Sequence, residues 1–516
     1  MDTTWEPLLL WGLRHQPLKA GGTQMVKSKK SNLRKNRNPK GFSQNGAKAK
    51  KINASTAYDT CSEQLSPFGG LLPLIKFFDL VEFQKIFDFA YKPPTRKPKL
   101  GHYSMVVGLL MLLFIGFNRI WHFSYLRLDA MLCGFFKLTR LPVARTFWRY
   151  VDSLGINQAH ALLRVMALLR NRVWQLCDIS YYRICLDIDT TVKTVFGNQQ
   201  GALKGHNPRN RGKKGYRPVL CFIEQSREYL VGKLRRGETI SGKQTAAFIA
   251  KIKRYLPDCV NQVLIRADAE FQSWHSIHEC LKAGYNFIIA NKKCEPQFDP
   301  KGWYRPHRRK PYEFNSCVYQ PMGWLQPVRF VAMRIPKPDK VAKEQYVQCE
   351  LFEVDRYEYR IFCTDLRRKA HKVIAEYDKR ADVENLVGEA KREGLDAIPS
   401  SRFKNNYAYF QVVMLAYNIW RYLKMIAELS DSARPPVEKS VQRQGFSGIE
   451  TNTVRIARLR LLMIAAKVVT ASNIDKVRYS IQDSRTPALM SFLKYLDKKR
   501  SQPKPWAGSI LQAAIG

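Results

Sequence analysis

Arg183-Ile-Cys-Leu-Asp-Ile-Asp-Thr-Thr-Val-Lys-Thr-Val-Phe196 is the stretch on which the fold turns. Ile184, Leu186 and Ile188 alternate with Cys185, Asp187 and Asp189, the period of two that marks a β-strand. An Asp in an apolar strand has to be paired, protonated or metal-bound. Residues two apart point to the same face, so periodicity does not choose between Asp187 and Asp189.

The chain around this strand alternates in a recognisable way. Tyr216 to Glu224 and Tyr229 to Leu234 read as two further strands. Ser241 to Leu256 is helical, with Phe248, Ile249, Ile252 and Leu256 at helical spacing. Gln262 to Asp268 is a buried strand that ends on a carboxylate. A helix over Ser273–Lys282 and a strand over Tyr285–Ala290 follow. Three strands joined by loops, then alternating helix and strand, predict an α/β mixed sheet with helices against it. From Asn291 to Cys363 aromatic-rich segments, among them 317–324, 328–335, 346–354 and 357–363, read as a β-strand insertion. Helical spacing returns at Arg367 and runs to about Leu429. The resulting divisions are a disordered basic arm (1–58), a helical DNA-binding region (59–175), the first part of the core (176–292), the β insertion (293–362), the second part of the core (363–429) and a basic, mostly helical C-terminal region (430–516). Met25 is an alternative start, which the mass of the native N-terminus would reveal.

Lys and Arg total 86 against 43 acids, a formal net charge of +43. An excess this large repels itself unless a polyanion is present, and nucleic acid is the first candidate. Arg209, Arg211, Lys213 and Lys214 lie among glycines in the loop after the first strand and are poor core residues, so they are candidates for phosphate contact. Arg145 and Arg149 give the helix over residues 141–151 a basic face. The 11 cysteines are dispersed, with no Cys-x-x-Cys pair, and read as reduced thiols in a cytoplasmic protein. His275, His278 and Cys280 lack a second ligand pair nearby, which leaves ordinary helix residues as the better reading. The uncharged stretch 103–118 is shorter than a membrane span requires and reads as a buried helix.

Glu376-Tyr-Asp-Lys-Arg-Ala-Asp-Val-Glu-Asn-Leu-Val-Gly-Glu-Ala-Lys391 is the other informative segment. On one continuous helix, Tyr377, Arg380, Glu384 and Lys391 share a stripe roughly 60° wide. Gly388 falls near the same sector. The alternative is a plain charged face with an i,i+4 pair. Asp189 and Asp268 on neighbouring strands, with Glu384 from a helix packed across the sheet, would make a set of three oxygen ligands. Such a set suits Mg²⁺ or Mn²⁺. Two such ions activate a nucleophile and stabilise the leaving oxygen of a phosphodiester.

The spacing of Tyr377, Arg380, Glu384 and Lys391 resembles the Tyr-Arg-Glu-Lys signature of a large group of bacterial insertion-sequence transposases of the DDE class. Arg266-Ala-Asp268-Ala-Glu-Phe271 resembles that group's second-Asp motif, Leu186-Asp-Ile-Asp189-Thr190 its first, and Ala416-Tyr-Asn418-Ile a further pattern. The resemblance implies a ribonuclease H-like core with helical flanks and a β insertion before the Glu helix. It implies dependence on Mg²⁺ or Mn²⁺, as two ions, and recognition of terminal inverted repeats, with cutting of the element's ends and their joining to target DNA. Carried over, Asp189, Asp268 and Glu384 are the catalytic metal ligands, and Tyr377, Arg380 and Lys391 grip the DNA near the cut. The Thr after Asp189 favours it over Asp187, which stays the alternative first carboxylate. Glu270 stands where many relatives have a small residue, either as a bystander or in support of the ligands. Trp303 and Trp324 are candidates for stacking on an unpaired base, with ordinary packing as the alternative. A homodimer is expected because two element ends must meet; a membrane is not. Competing readings are a DNA-binding regulator that has lost catalysis and a related nuclease with another target, such as RNA.

Overall fold

Dense apolar residues without alternation give helices from Leu71 to Leu176 in the computed structural model, which describes residues 52–205, 207–306, 309–337, 357–433 and 445–506. The main ones are Leu71–Leu80, Phe83–Ala90, Gly101–Ile115, Ala144–Ser153 and Ile156–Leu176, preceded by a two-residue strand, β1 (Leu65–Ser66). Met105 to Ile115 are all buried, which accounts for the uncharged stretch. No single helix among the described residues is long and apolar enough to cross a membrane. Residues Met1–Thr60 fall in a separate unit, where the described part holds a turn at Asn53–Thr56. Everything else lies in the unit Cys61–Gly516.

The sheet begins with β2 (Arg183–Thr190). Next come three short strands, β3 (Lys193–Thr194), β4 (Leu203–Lys204) and β5 (Lys214–Tyr216), which form a small sheet in the order β3-β5-β4. Then come β6 (Val219–Ile223), β7 (Glu228–Lys233), β8 (Gln262–Ala267) and β9 (Asn286–Ala290), followed by β10 (Glu313–Tyr319), β11 (Val328–Pro336) and β12 (Tyr357–Thr364). The large sheet has the order β10-β11-β12-β9-β8-β2-β6-β7. Its run β7-β6-β2-β8-β9 is antiparallel at the first two joints and parallel at the last two. This is the ribonuclease H-like mixed sheet expected from the sequence. The β insertion extends that same sheet, because Phe362–Thr364 of β12 pair antiparallel with Ile288–Ala290 of β9. The segment 346–354, read as a strand, lies outside the described residues.

Both faces of the sheet are covered. Ile184, Leu186 and Ile188 belong to the main core, while Cys185 faces a second apolar cluster with Leu264, Ile288, Val373 and Ile374. Asp187 and Asp189 therefore share the face of the helix Ala370–Asp378. On the main-core side runs the long helix Phe403–Ser432. Trp420 from it stacks on Phe114, with ring centroids 3.9 Å apart, and donates its indole N–H to the Phe114 carbonyl. The same helix covers the free edge of β7. Asn418 accepts from the Tyr229 amide at 2.9 Å and donates to the Tyr229 carbonyl at 2.8 Å, and Gln411 donates to the Gly232 carbonyl. Side-chain amides thus stand in for a further strand.

The C-terminal region was expected to be mostly helical, and there the structure differs. Ala466–Ala471 (β13) and Ile474–Tyr479 (β14) form a hairpin before the helix Thr486–Ser501. Ser472 and Asn473 at its tip both have positive φ, 52° and 56°, as a tight hairpin turn of this hand requires. β13 also pairs with β1, joining segments from opposite ends of the unit.

Glu228 on β7 is fully buried. It accepts from Arg170 Nε at 2.9 Å, Trp174 Nε1 at 2.7 Å and Tyr422 Oη at 2.9 Å. Arg170→Ala leaves this carboxylate buried without its cation. A loss of about 3 kcal/mol or more is expected on chemical denaturation of the full chain. A loss below about 1 kcal/mol would show that the pair is not structural.

Candidate active site

Register places the carboxylates. β2 and β8 run parallel with Asp187 opposite Arg266 and Ile188 opposite Ala267. The next residues, Asp189 and Asp268, therefore come side by side at the ends of the two strands, with Asp189 still paired to Leu220 of β6. The same register settles the fate of Asp187: Arg266 donates to it from Nε at 2.7 Å and from Nη2 at 2.8 Å, and both side chains are buried. Asp187 is thus held in a buried bidentate ion pair. The sequence signal for this was present in an Arg within an otherwise apolar strand, and sequence reasoning assigned it no role.

Asp189 meets a different partner. Arg380 donates from Nη2 to Asp189 Oδ1 at 2.9 Å and to the Ile188 carbonyl at 3.0 Å. Burial pushes the Asp189 carboxyl up to about 6; Arg380 opposes this, while Asp268 and Glu384 reinforce it. All three carboxylates thus share one electrostatic neighbourhood. Burial also raises Asp268, again opposed by Arg380 and reinforced by Glu270. Glu384 is exposed, so the set is open on one side.

The helix carrying Glu384 is less continuous than the stripe assumed. Ala370–Asp378 and Ala381–Ala390 are separate helices joined through Lys379 and Arg380. Lys391 then opens a wide π-turn that ends near Gly394, where φ is 115°. The break lets Arg380 turn inward onto Asp189 while Glu384 stays at the surface. Tyr377 packs its ring 4.4 Å from that of Phe362 and feels the charges of Arg380, Asp268 and Asp189. Lys391 donates to the Val192 carbonyl at 2.9 Å. Burial lowers its pKa, with Asp396, Arg209 and Asp189 as charged neighbours. A Cβ at Gly388 would meet only the end of Arg392 at ordinary contact distance, so the helix surface there is open.

Glu270 has a clear structural role. Its carboxylate accepts from Thr190 Oγ1 at 2.7 Å and pairs with Arg217 at 2.8 Å, bracing the residues next to Asp189 and Asp268. Arg217 was missed in the sequence because it sits at the end of a loop rich in other cations. Of those, Arg209, Arg211, Lys213 and Lys214 are all exposed. Asn207 holds the loop through hydrogen bonds to Thr194 and to the Asn210 amide. Arg209 comes close enough to Lys391 to influence it. Trp303 packs with Phe298, Tyr359 and Arg334, and Trp324 with Trp274 and Phe330. Asn418, on the helix Phe403–Ser432, is engaged with the Tyr229 backbone of β7 rather than with the carboxylates.

The donor set of Asp189, Asp268 and Glu384 is all carboxylate, which fits a hard divalent cation. Burial raises Asp189 and Asp268, with neighbouring carboxylates adding to it, and a bound cation would offset both. Among the described residues, Cys185, Glu224 and Glu376 offer ligand atoms within 4.8 Å of one another. That group surrounds Arg266, whose guanidinium reaches Glu224 at 3.5 Å and the Glu376 carbonyl at 2.7 Å, so a cation already stands there.

Residues 48–501 match the family described as Transposase DDE domain group 1. The chain belongs to this family. Enzymes of this family cut DNA and transfer strands with divalent metal ions, and this transposase is an enzyme of that class. No curated protein sequence matches it. Among solved structures, the cryo-EM structure of the piggyBac transposase synaptic complex with hairpin DNA is similar at 9% identity and a TM-score of 0.42, covering 85% of this transposase and 86% of that chain.

The Asp189 carboxyl has a testable consequence for the transposase without metal. A carboxyl raised from 3.8 to about 6 in the folded state favours folding when protonated. That contribution is complete below the lower value and is lost as pH rises through the higher one. In metal-free buffer Asp189→Asn should stabilise the transposase at about pH 7, by about 1–3 kcal/mol, and have little effect at about pH 4. Denaturation curves at both pH values measure it, and equal effects at both would contradict the raised carboxyl.

Proposed function

We propose that this transposase binds the terminal inverted repeats of an insertion sequence, cuts the DNA at the element's ends and joins the freed 3′ hydroxyls to target DNA. The observation that carries the reading is the side-by-side position of Asp189 and Asp268 at the ends of neighbouring parallel strands, within the charge field of Glu384. These three residues are the proposed catalytic ligands of Mg²⁺ or Mn²⁺, as two ions. Bound there, the ions would supply Lewis-acid activation of the attacking and leaving oxygens.

The protein's own groups do the rest. Arg380 neutralises Asp189 when no cation is bound and turns to the DNA backbone when one is. Tyr377 and Lys391 flank the same site and position the strand near the cut. Arg209, Arg211, Lys213 and Lys214 hold phosphates from the exposed loop. The helical region 59–175 contributes further DNA contacts through the exposed Arg145 and Arg149. Bringing two ends together calls for a homodimer on DNA, and the enzyme works in the bacterial cytoplasm on the nucleoid.

The test uses labelled DNA carrying the element's own ends, with Mg²⁺, and compares the wild-type enzyme with Glu384→Ala. Wild type should cut at the ends, and the variant should be slower by about 100-fold or more while still binding. No cutting by either with binding intact would favour a DNA-binding regulator. Equal cutting by both would show that Glu384 is not a ligand.

A further inference from the structure

On the β7 side of the sheet lies a cleft of about 1120 Å³ between the helices Ile156–Leu176 and Gly242–Ile252. Eight cationic side chains line it against two acids, Glu238 and Asp258. Arg164, Lys233, Arg236, Lys243, Lys251 and Arg254 are exposed, and among the described residues none of the six makes an ion pair. These cations therefore face one another across the cleft with little compensation. His160 shows the effect: burial lowers its pKa, and Lys251, Lys233 and Arg164 lower it further.

The floor adds a second, independent observation. Arg235 is only 7% exposed, and its Nη1 is buried with no hydrogen-bond partner. Its Nη2 donates to Gln244 Oε1 at 2.9 Å, which fixes the guanidinium in place. A buried guanidinium nitrogen left unpaired is costly unless an acceptor arrives from outside. Arg235 lines the cleft, and its charged neighbours are Glu270, Arg217 and Glu238.

The cleft also adjoins the carboxylate site. Arg217, which pairs with Glu270 beside Asp268, donates its backbone amide to the Arg235 carbonyl at 3.0 Å. Phe89, Tyr255 and Phe403 lie along the cleft among the cations, a mixture that accepts phosphates and the faces of bases.

We infer that this cleft is a second DNA-backbone site of the transposase, distinct from the catalytic carboxylates, which holds the DNA beyond the cut through its exposed cations. The inference rests on the chain acting on DNA, but it does not require that Asp189, Asp268 and Glu384 be the catalytic residues. Binding is measured on the full chain in EDTA, so that failure of the cleavage reading cannot be mistaken for failure of this one.

The experiment compares wild type with Lys243→Glu/Lys251→Glu/Arg254→Glu, using fluorescence anisotropy of a random-sequence DNA duplex over a salt series. Each lost phosphate contact should reduce the slope of log K against log salt by about 0.9. The triple variant should therefore lose about 2–3 in slope and weaken binding about tenfold or more at low salt. A control with equal charge change, Lys476→Glu/Lys494→Glu/Lys498→Glu, alters exposed cations elsewhere. An equal loss in the control would overturn the site by showing a bulk charge effect. Unchanged DNA binding in the cleft variant would also overturn it, as would a loss confined to an RNA duplex of the same length. Should the Glu variant fail to fold, the Gln variant at the same three positions decides between these outcomes, with a slope loss of the same sign expected.

Discussion

A carboxylate inside a sheet must be answered by a cation, and the rest of this structure is arranged around that constraint. Three buried or nearly buried acids lie on two strands, and each is met by an arginine from another segment. Glu228 takes Arg170 from the helical region, Asp187 takes Arg266 from the neighbouring strand, and Asp189 takes Arg380 from the chain that follows the β insertion. Each pair joins parts of the chain that are far apart in sequence. Together they fix the helical region, the sheet and the Glu384 segment to one another.

The pairs are not equivalent, and the difference makes a site possible. Glu228 and Asp187 have all their oxygens engaged and sit within the interior. Asp189 stands at the end of its strand, and Arg380 reaches it through one nitrogen. A contact through one nitrogen can be exchanged for another cation more readily than a bidentate one in the core. Glu270, Thr190 and Arg217 stiffen the surroundings, so that an exchange at Asp189 need not disturb the strands beneath it.

Edges pose the complementary problem. The strands β10 to β12 continue the sheet beyond β9 and bury what would otherwise be its parallel end. At the opposite end Asn418 and Gln411 satisfy the backbone of β7 from a helix. That solution leaves Lys233 to Arg236 free of strand pairing on the outer side, which is where the basic cleft opens.

Much of this was legible in the chain. Period-two alternation at Ile184, Leu186 and Ile188 marks the central strand, and an apolar strand ending on Asp268 marks its neighbour. The order of strands and helices around them gives the mixed sheet, and the resemblance read in the chain's motifs was to transposases of the DDE class, the class to which the chain belongs. These features are local, so the sequence by itself determined them: a strand or helix writes its period into adjacent residues. Other features depended on register and packing between distant segments. Only the tertiary structure decided that Arg266 stands opposite Asp187 and leaves Asp189 at the strand end. Only it showed that the chain breaks at Lys379–Arg380, that the β insertion joins the main sheet, and that 466–479 is a hairpin held by β1. Each of these rests on which segment lies beside which, and residues far apart in sequence carry no period that reports their contact.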